Sequence, residues 1–299
     1  MLHICKILII VRVLSILIVE VIKFDMRFLI SLLEIILPLL YFATIWAYAR
    51  AFFSGIKQAE NLKAPLLIIT LAVHASYILI RTLEFRHPPI TTIFEILSLI
   101  AFTIALTYVY IELRTKNNST GYFILILAFF FQLVSSLFIR ELASVPSILR
   151  SNLLGFHVSS ALLGYAAITI SGVYGFLYIM LYHDIKSSQF GVIYKRLPNL
   201  ETLERMSFTA TIFGFALLTV AIVVGVIWLP QAIGNFSFTD PKLLGTFAIW
   251  LIYAVGLSAK KIAGWQGRRI MLLSIFGFAL AICSMTIINL FFRGFHKFY

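Results

Sequence analysis

One repeated feature dominates this chain. Apolar runs of about 18 or more residues return along its whole length, separated by short polar joints. A run of that length crosses a bilayer as one α-helix, because in lipid every backbone group must find its hydrogen bond within the segment. The chain therefore reads as all-α: a polytopic membrane helical bundle with about eight transmembrane helices. The runs fall at residues 28–53, 64–83, 90–112, 122–139, 153–181, 208–229, 243–258 and 270–292. Composition agrees. Of 299 residues, 61% are hydrophobic and 12% charged, with a mean hydropathy of +1.01, which excludes an ordinary soluble domain.

The net charge of +12 sits mainly between the runs. Lys186, Lys195, Arg196 and Arg205 follow the fifth run, and Lys260, Lys261, Arg268 and Arg269 follow the seventh. Both groups lie on one side, which the positive-inside rule makes cytoplasmic. The charge thus orients a multi-pass protein of the cell (inner or plasma) membrane. It implies the lipid bilayer as a partner and no nucleic acid. Cys5 and Cys283 are far apart and neither lies in a C-x-x-C, so no dithiol motif or disulfide framework is expected. No G-x-x-x-x-G-K-[ST] or G-x-G-x-x-G occurs, so no ATPase or dinucleotide site is expected. Residues 1–26 stand apart from the integral membrane domain at 27–299, because Lys6, Arg12, Glu20, Lys23 and Asp25 interrupt their apolar stretches. They read as an extension ahead of a start near Met26-Arg27, with a short extra span or an interfacial helix as the rival.

The joints at Glu84–Pro89, Arg140–Asn152 and Trp228–Lys242 then face outward, as does the C-terminal tail. In the Trp228–Lys242 loop, Phe236 and Phe238 alternate with Asn235, Ser237 and Thr239. That pattern makes either an interfacial aromatic anchor or a flat platform. His157 opens the fifth run and His296 follows the eighth, both on the outer side. Two neutral imidazoles suit the axial positions of a haem iron, and aromatic rings pack on a porphyrin edge. The bland alternatives are an interfacial His157 bonded to a carbonyl and a tail residue at 296. His74 lies midway along the second run, a depth that is costly unless the ring is paired or functional. Glu34 and Glu95 also have apolar surroundings and are expected to face the bundle interior, paired or protonated. Together these three would also suit the relay of a secondary transporter. Ala161, Gly164, Ala167, Ser171 and Gly175 recur at helical spacing, a stripe that lets another helix approach closely.

Four stretches carry a resemblance: His87-Pro88-Pro89-Ile90-Thr91-Thr92-Ile93-Phe94-Glu95; His157-Val158-Ser159 with Leu163-Gly164-Tyr165-Ala166-Ala167; Leu197-Pro198-Asn199-Leu200-Glu201-Thr202-Leu203-Glu204-Arg205 with Gly214-Phe215; and the Trp228–Lys242 loop. In order and spacing they resemble the cytochrome c assembly protein family of the CcsA/ResC type and its HemX-like members. The resemblance covers nearly all of residues 64–299. It implies a haem-binding membrane protein of cytochrome c biogenesis. Such a protein presents haem b at the outer membrane face for attachment to apocytochrome c, beside a CcsB/ResB-like membrane partner. It implies His157 and His296 as the axial ligands, with Trp228, Phe236, Phe238 and Asp240 around the porphyrin. His74, His87 and Glu95 are further candidates. No catalytic residue follows from it, and an enzymatic role arises only as a component of a haem-attachment (synthetase) complex. The chain departs from the family's tryptophan-rich loop: Ile233, Ser237, Thr239 and Gly245 stand where later tryptophans are usual. Leu243 replaces an acid there, and Ser258 stands where some members carry a membrane-embedded histidine. These departures keep in view a HemX-like tetrapyrrole-binding or regulatory protein without ligation activity.

Overall fold

A computed structural model describes residues 2–140, 152–232, 239 and 241–284, the side chains of the first 25 residues and of 152, 229–232 and 242 excepted. Helix α1 (Leu2–Ala49) continues through a π-helical turn at Arg50–Ser54. There follow α2 (Lys57–Phe85), α3 (Ile93–Thr115), α4 (Gly121–Phe138), α5 (Asn152–Lys186), the short α6 (Val192–Arg196), α7 (Leu200–Ala232), α8 (Pro241–Lys261) and α9 (Arg268–Cys283). Seven of these have stretches long and apolar enough to cross a membrane, from Met26–Ser54 in the first to Leu243–Lys261 in the last. The eighth expected span corresponds to α9, whose described part is 16 residues long. The chain is an all-α polytopic membrane bundle.

Several helices run further than their apolar cores. α2 starts at Lys57 rather than near residue 64 because its polar first turns, Lys57–Lys63, stay helical ahead of Pro65. Their polar side chains find partners: Lys63 Nζ lies 2.7 Å from Glu60 Oε1, and Asn118 Nδ2 donates to Glu60 Oε1 at 3.0 Å. α1 likewise runs through residues 2–25 as one continuous helix.

Two packed halves result. α1–α4 pack among themselves, while α5 packs on α7 and α9, with α8 against α7 and α9. α5 is the hinge between the halves, reaching the first through α3. The small-residue stripe does what its spacing predicts. A Cβ on Gly164 would lie 3.0 Å from Leu218 Cγ, and one on Gly175 would lie 3.0 Å from the Met271 carbonyl oxygen. Helices α7 and α9 thus approach α5 at backbone distance. Between α5 and α7, Ser171 Oγ pairs with Ser207 Oγ at 3.0 Å and Thr211 Oγ1 at 2.7 Å. These short hydroxyl side chains satisfy one another in the dry interface.

The joints α1–α2, α3–α4, α5–α7 and α8–α9 gather at one end, which carries most of the basic residues. There Glu204 ties the α8–α9 joint to α7, accepting from Lys260 Nζ and, at 2.9 Å, from the Gly267 amide. Gly267 has φ +63, a left-handed conformation that favours glycine. Glu204→Ala is expected to cost about 1–3 kcal/mol, the penalty for leaving half-buried donors unpaired. Its readout is faster proteolytic cleavage between Ala263 and Gly267 together with a lower thermal midpoint. Unchanged cleavage would show that helix packing alone holds the joint.

Candidate functional site

The opposite end gathers the start of α5, the last turns of α7 and the start of α8. His157 stands in the second turn of α5. Its Nδ1 lies 2.8 Å from the carbonyl oxygen of Ala221 on α7. A carbonyl only accepts, so Nδ1 carries the proton, and in the neutral ring Nε2 is the basic nitrogen. Metal-binding histidines are held in this way: one ring N–H donates to a carbonyl, fixing ring and tautomer, and the other nitrogen is the donor atom. Ala221 is buried, so the anchoring side of the ring is packed against α7.

From Ala221, α7 climbs two turns to a half-buried Trp228. α8 starts at Pro241, whose fixed φ and missing N–H suit a first helical position. Trp250 of α8 then locks onto α7. Its Nε1 donates to Thr219 Oγ1 at 2.8 Å, and its ring stacks between Phe215 (5.2 Å) and Phe247 (5.6 Å). Tyr253 reaches the Ser274 carbonyl oxygen of α9 at 3.4 Å, and at Gly277 the absent Cβ makes room for its ring. Trp250 and Tyr253 thus fix the helix that carries the loop. Phe236, Phe238, Asp240 and His296 lie outside the described residues.

The other candidates sit in the first half. Glu95 is buried and both its carboxylate oxygens are taken. Oε1 accepts from Arg81 Nε (3.1 Å) and Nη2 (3.0 Å). Oε2 accepts from the Thr91 amide (2.7 Å), Thr91 Oγ1 (2.7 Å) and the Thr92 amide (3.3 Å). Thr92 Oγ1 in turn accepts from the Glu95 amide, closing a capping box at the start of α3. Arg81 also donates through Nη1 to Glu34 Oε1 at 3.0 Å, where Tyr77 OH converges at 3.2 Å. Both acids expected to face the bundle interior, the buried Glu95 and the half-buried Glu34, are therefore paired, and Arg81 is the partner that sequence reasoning missed. Its signal was available: an arginine inside an apolar run, facing two acids on neighbouring runs. His87 follows α2, with Nδ1 donating to the Pro88 carbonyl at 2.9 Å.

Both ring nitrogens of His74 are engaged: Nδ1 with Tyr41 OH and Nε2 with Ser98 Oγ, each at 3.0 Å. Ser98 donates onward to Gln132 Oε1 at 2.9 Å, and Gln132 Nε2 donates to Ser136 Oγ at 3.1 Å. One set of proton positions satisfies the whole chain, with Tyr41 donating to Nδ1 and Nε2 donating to Ser98. His74 is a neutral strut joining α1, α2, α3 and, through Gln132, α4. These bonds of His74 go to Tyr41 and Ser98, whereas Glu34 and Glu95 meet at Arg81. Among the described residues no three His, Cys, Asp or Glu side chains gather as ligands of a bare metal ion. A ligand that brings its own equatorial nitrogens, as haem does, needs only axial imidazoles, and the His157 geometry fits one.

The chain also matches known proteins. Residues 90–296 match the model of the family described as cytochrome C assembly protein. A protein of Guillardia theta called cytochrome c biogenesis protein CcsA is 27% identical over 237 residues, covering 73% of this chain and 79% of its own length. Its namesake in Prochlorococcus marinus (strain NATL1A) is 27% identical over 280 residues, covering 83% and 88%. Protein HemX of Brevibacillus brevis is 27% identical over 227 residues, covering 73% and 80%. The match spans α3 to the C-terminal region, including the α5–α7 seam and the helix that Trp250 secures, and on this ground the chain belongs to the cytochrome c assembly protein family.

Proposed function

We propose that the protein binds haem at the outer membrane face and presents it for attachment to an apocytochrome c. One observation carries this reading: His157 is anchored by Nδ1 to the Ala221 carbonyl at 2.8 Å, which makes Nε2 the ligating nitrogen. His296 supplies the second axial imidazole. Trp228 and the loop residues Phe236, Phe238 and Asp240 flank the porphyrin. Haem b brings the reactive vinyl groups, so the chain's own task is to bind, orient and hold the iron's coordination. The thiols that accept haem belong to the apocytochrome, since this chain has no C-x-x-C. A CcsB/ResB-like membrane protein is the expected partner, and the basic end faces the cytoplasm of the cell membrane by the positive-inside rule.

A second reading has its own support. The loop carries Ile233, Ser237, Thr239 and Gly245 at positions where the family's tryptophans are usual, and the HemX relative is about as similar as the CcsA relatives. A HemX-like protein would bind a tetrapyrrole without attaching it. The test begins with oxidised and reduced visible spectra of the detergent-solubilised protein, its His157→Ala and His296→Ala variants, and a His74→Phe control. The expected result is a six-coordinate haem spectrum, lost or shifted in both outer variants and kept in the control. Haem that ignores both outer changes, or no haem even after reconstitution, would overturn the outer bis-histidine site. A cytochrome c maturation assay on the same variants then separates attachment from binding alone.

A further inference from the structure

The connection between α5 and α7 carries a surface that the haem reading does not use. It leaves the basic end of the bundle at Ser187 and holds α6. Two contacts pin it down. Leu197 is buried in the core, and Arg196 Nη1 donates to the Ala51 carbonyl at 2.7 Å, beside Gly55 with φ +66. A side chain at 55 would collide with the guanidinium, since a Cβ there would lie 2.5 Å from Arg196 Nη2.

The rest of the segment is apolar yet uncovered. Phe190, Val192 and Tyr194 are 56%, 39% and 42% exposed, and the rings of Phe190 and Tyr194 meet edge-on at 4.8 Å. Lys195 follows Tyr194 directly and Lys186 lies four positions before Phe190; both are exposed, and among the described residues neither joins an ion pair. The acids nearest in sequence are Asp184 and Glu201. Aromatic rings next to ammonium groups, held where spanning helices leave the bilayer, match the boundary between acyl chains and headgroups.

We infer that the Phe190–Lys195 segment docks onto anionic lipid headgroups of the leaflet at the basic end, with Phe190 and Tyr194 at the acyl boundary and Lys186 and Lys195 on the phosphates. A soluble acidic protein would satisfy the lysines. It would not explain the rings, which Arg196 and Leu197 hold between the end of α5 and the start of α7. A basic side chain close to an anionic surface strengthens docking about fivefold, so the two lysines together give roughly 25-fold.

The test uses the full chain with Cys5 and Cys283 replaced by serine and a spin label at Phe190→Cys. It is reconstituted into phosphatidylcholine vesicles with and without phosphatidylglycerol. The expected result is a label that becomes shielded from a soluble nickel chelate and open to oxygen when the anionic lipid is present. In Lys186→Gln/Lys195→Gln the ratio of shielded to open label should drop roughly 25-fold. A label equally open to nickel in every lipid would overturn the docking and leave a soluble partner as the occupant. Shielding that ignores both lipid charge and the lysine changes would overturn the headgroup assignment.

Discussion

Arg81→Met is expected to destabilise the folded protein by roughly 3–5 kcal/mol, the cost of removing one partner from a buried ionic network. Arg81 donates to both Glu34 and Glu95, and its own side chain is 3% exposed. Without it, two carboxylates are left within the bundle. Glu95 Oε2 also accepts from the Thr91 amide, the Thr91 hydroxyl and the Thr92 amide, bonds that fix the start of α3. The joint before α3 should therefore loosen along with the helix pair. Thermal unfolding in detergent reads the first effect, and hydrogen exchange at the Thr91 and Thr92 amides reads the second. Arg81→Lys should fall between the parent and Arg81→Met, because a single ammonium cannot fork to two carboxylates as a guanidinium does. Adding Glu95→Gln to Arg81→Met should recover part of the loss by removing the stranded charge. A double variant no more stable than Arg81→Met alone would contradict a charge-balanced network.

This network also marks where the sequence was readable and where it was not. The spans are legible because a bilayer demands long apolar helices, and the interruptions between them are few and short. The capping pattern Thr92-x-x-Glu95 is likewise local, and it marks the start of α3. The pairing of Glu34 with Arg81 spans 47 positions, so nothing local specifies it. The same holds for His74. A histidine at mid-membrane is either paired or functional, and only the packing of Tyr41 and Ser98 against it decides. The mostly exposed first turns of α2 escaped a hydropathy reading because polar contacts of Glu60 with Lys63 and Asn118, rather than apolar surface, support them. At the candidate site, the stripe from Ala161 to Gly175 predicted a close helix partner. That this partner is α7, and that it offers the Ala221 carbonyl to His157, is a fact of tertiary register.

That register underlies the second large effect. Gly164→Val should cost about 1–3 kcal/mol by overpacking and should also weaken whatever His157 holds. A Cβ at 164 would lie 3.0 Å from Leu218 Cγ and 3.2 Å from the Leu218 amide nitrogen, so backbone as well as side chain must give way. On the facing helix, a Cβ at Gly214 would lie 3.2 Å from the Gly164 carbonyl, so the seam has no slack. Residues 157, 161 and 164 share one face of α5, and 218 and 221 share one face of α7. A wedge between 164 and 218 therefore opens the helices about two turns along α5, and under one turn along α7, from the His157–Ala221 hydrogen bond. Loss of such an orienting bond typically lowers metal affinity 10- to 100-fold, and the same fall is expected in haem affinity if His157 is an axial ligand. Gly155→Ala is the matched control, since a Cβ there meets nothing within 4 Å. Gly164→Val combined with Leu218→Ala should restore part of the helix approach and of the affinity, because the side-chain contact is relieved while that with the Leu218 amide nitrogen remains. A lower thermal midpoint with unchanged haem affinity would show that the anchoring of His157 is not needed for binding. An unchanged midpoint would contradict the close α5–α7 contact itself.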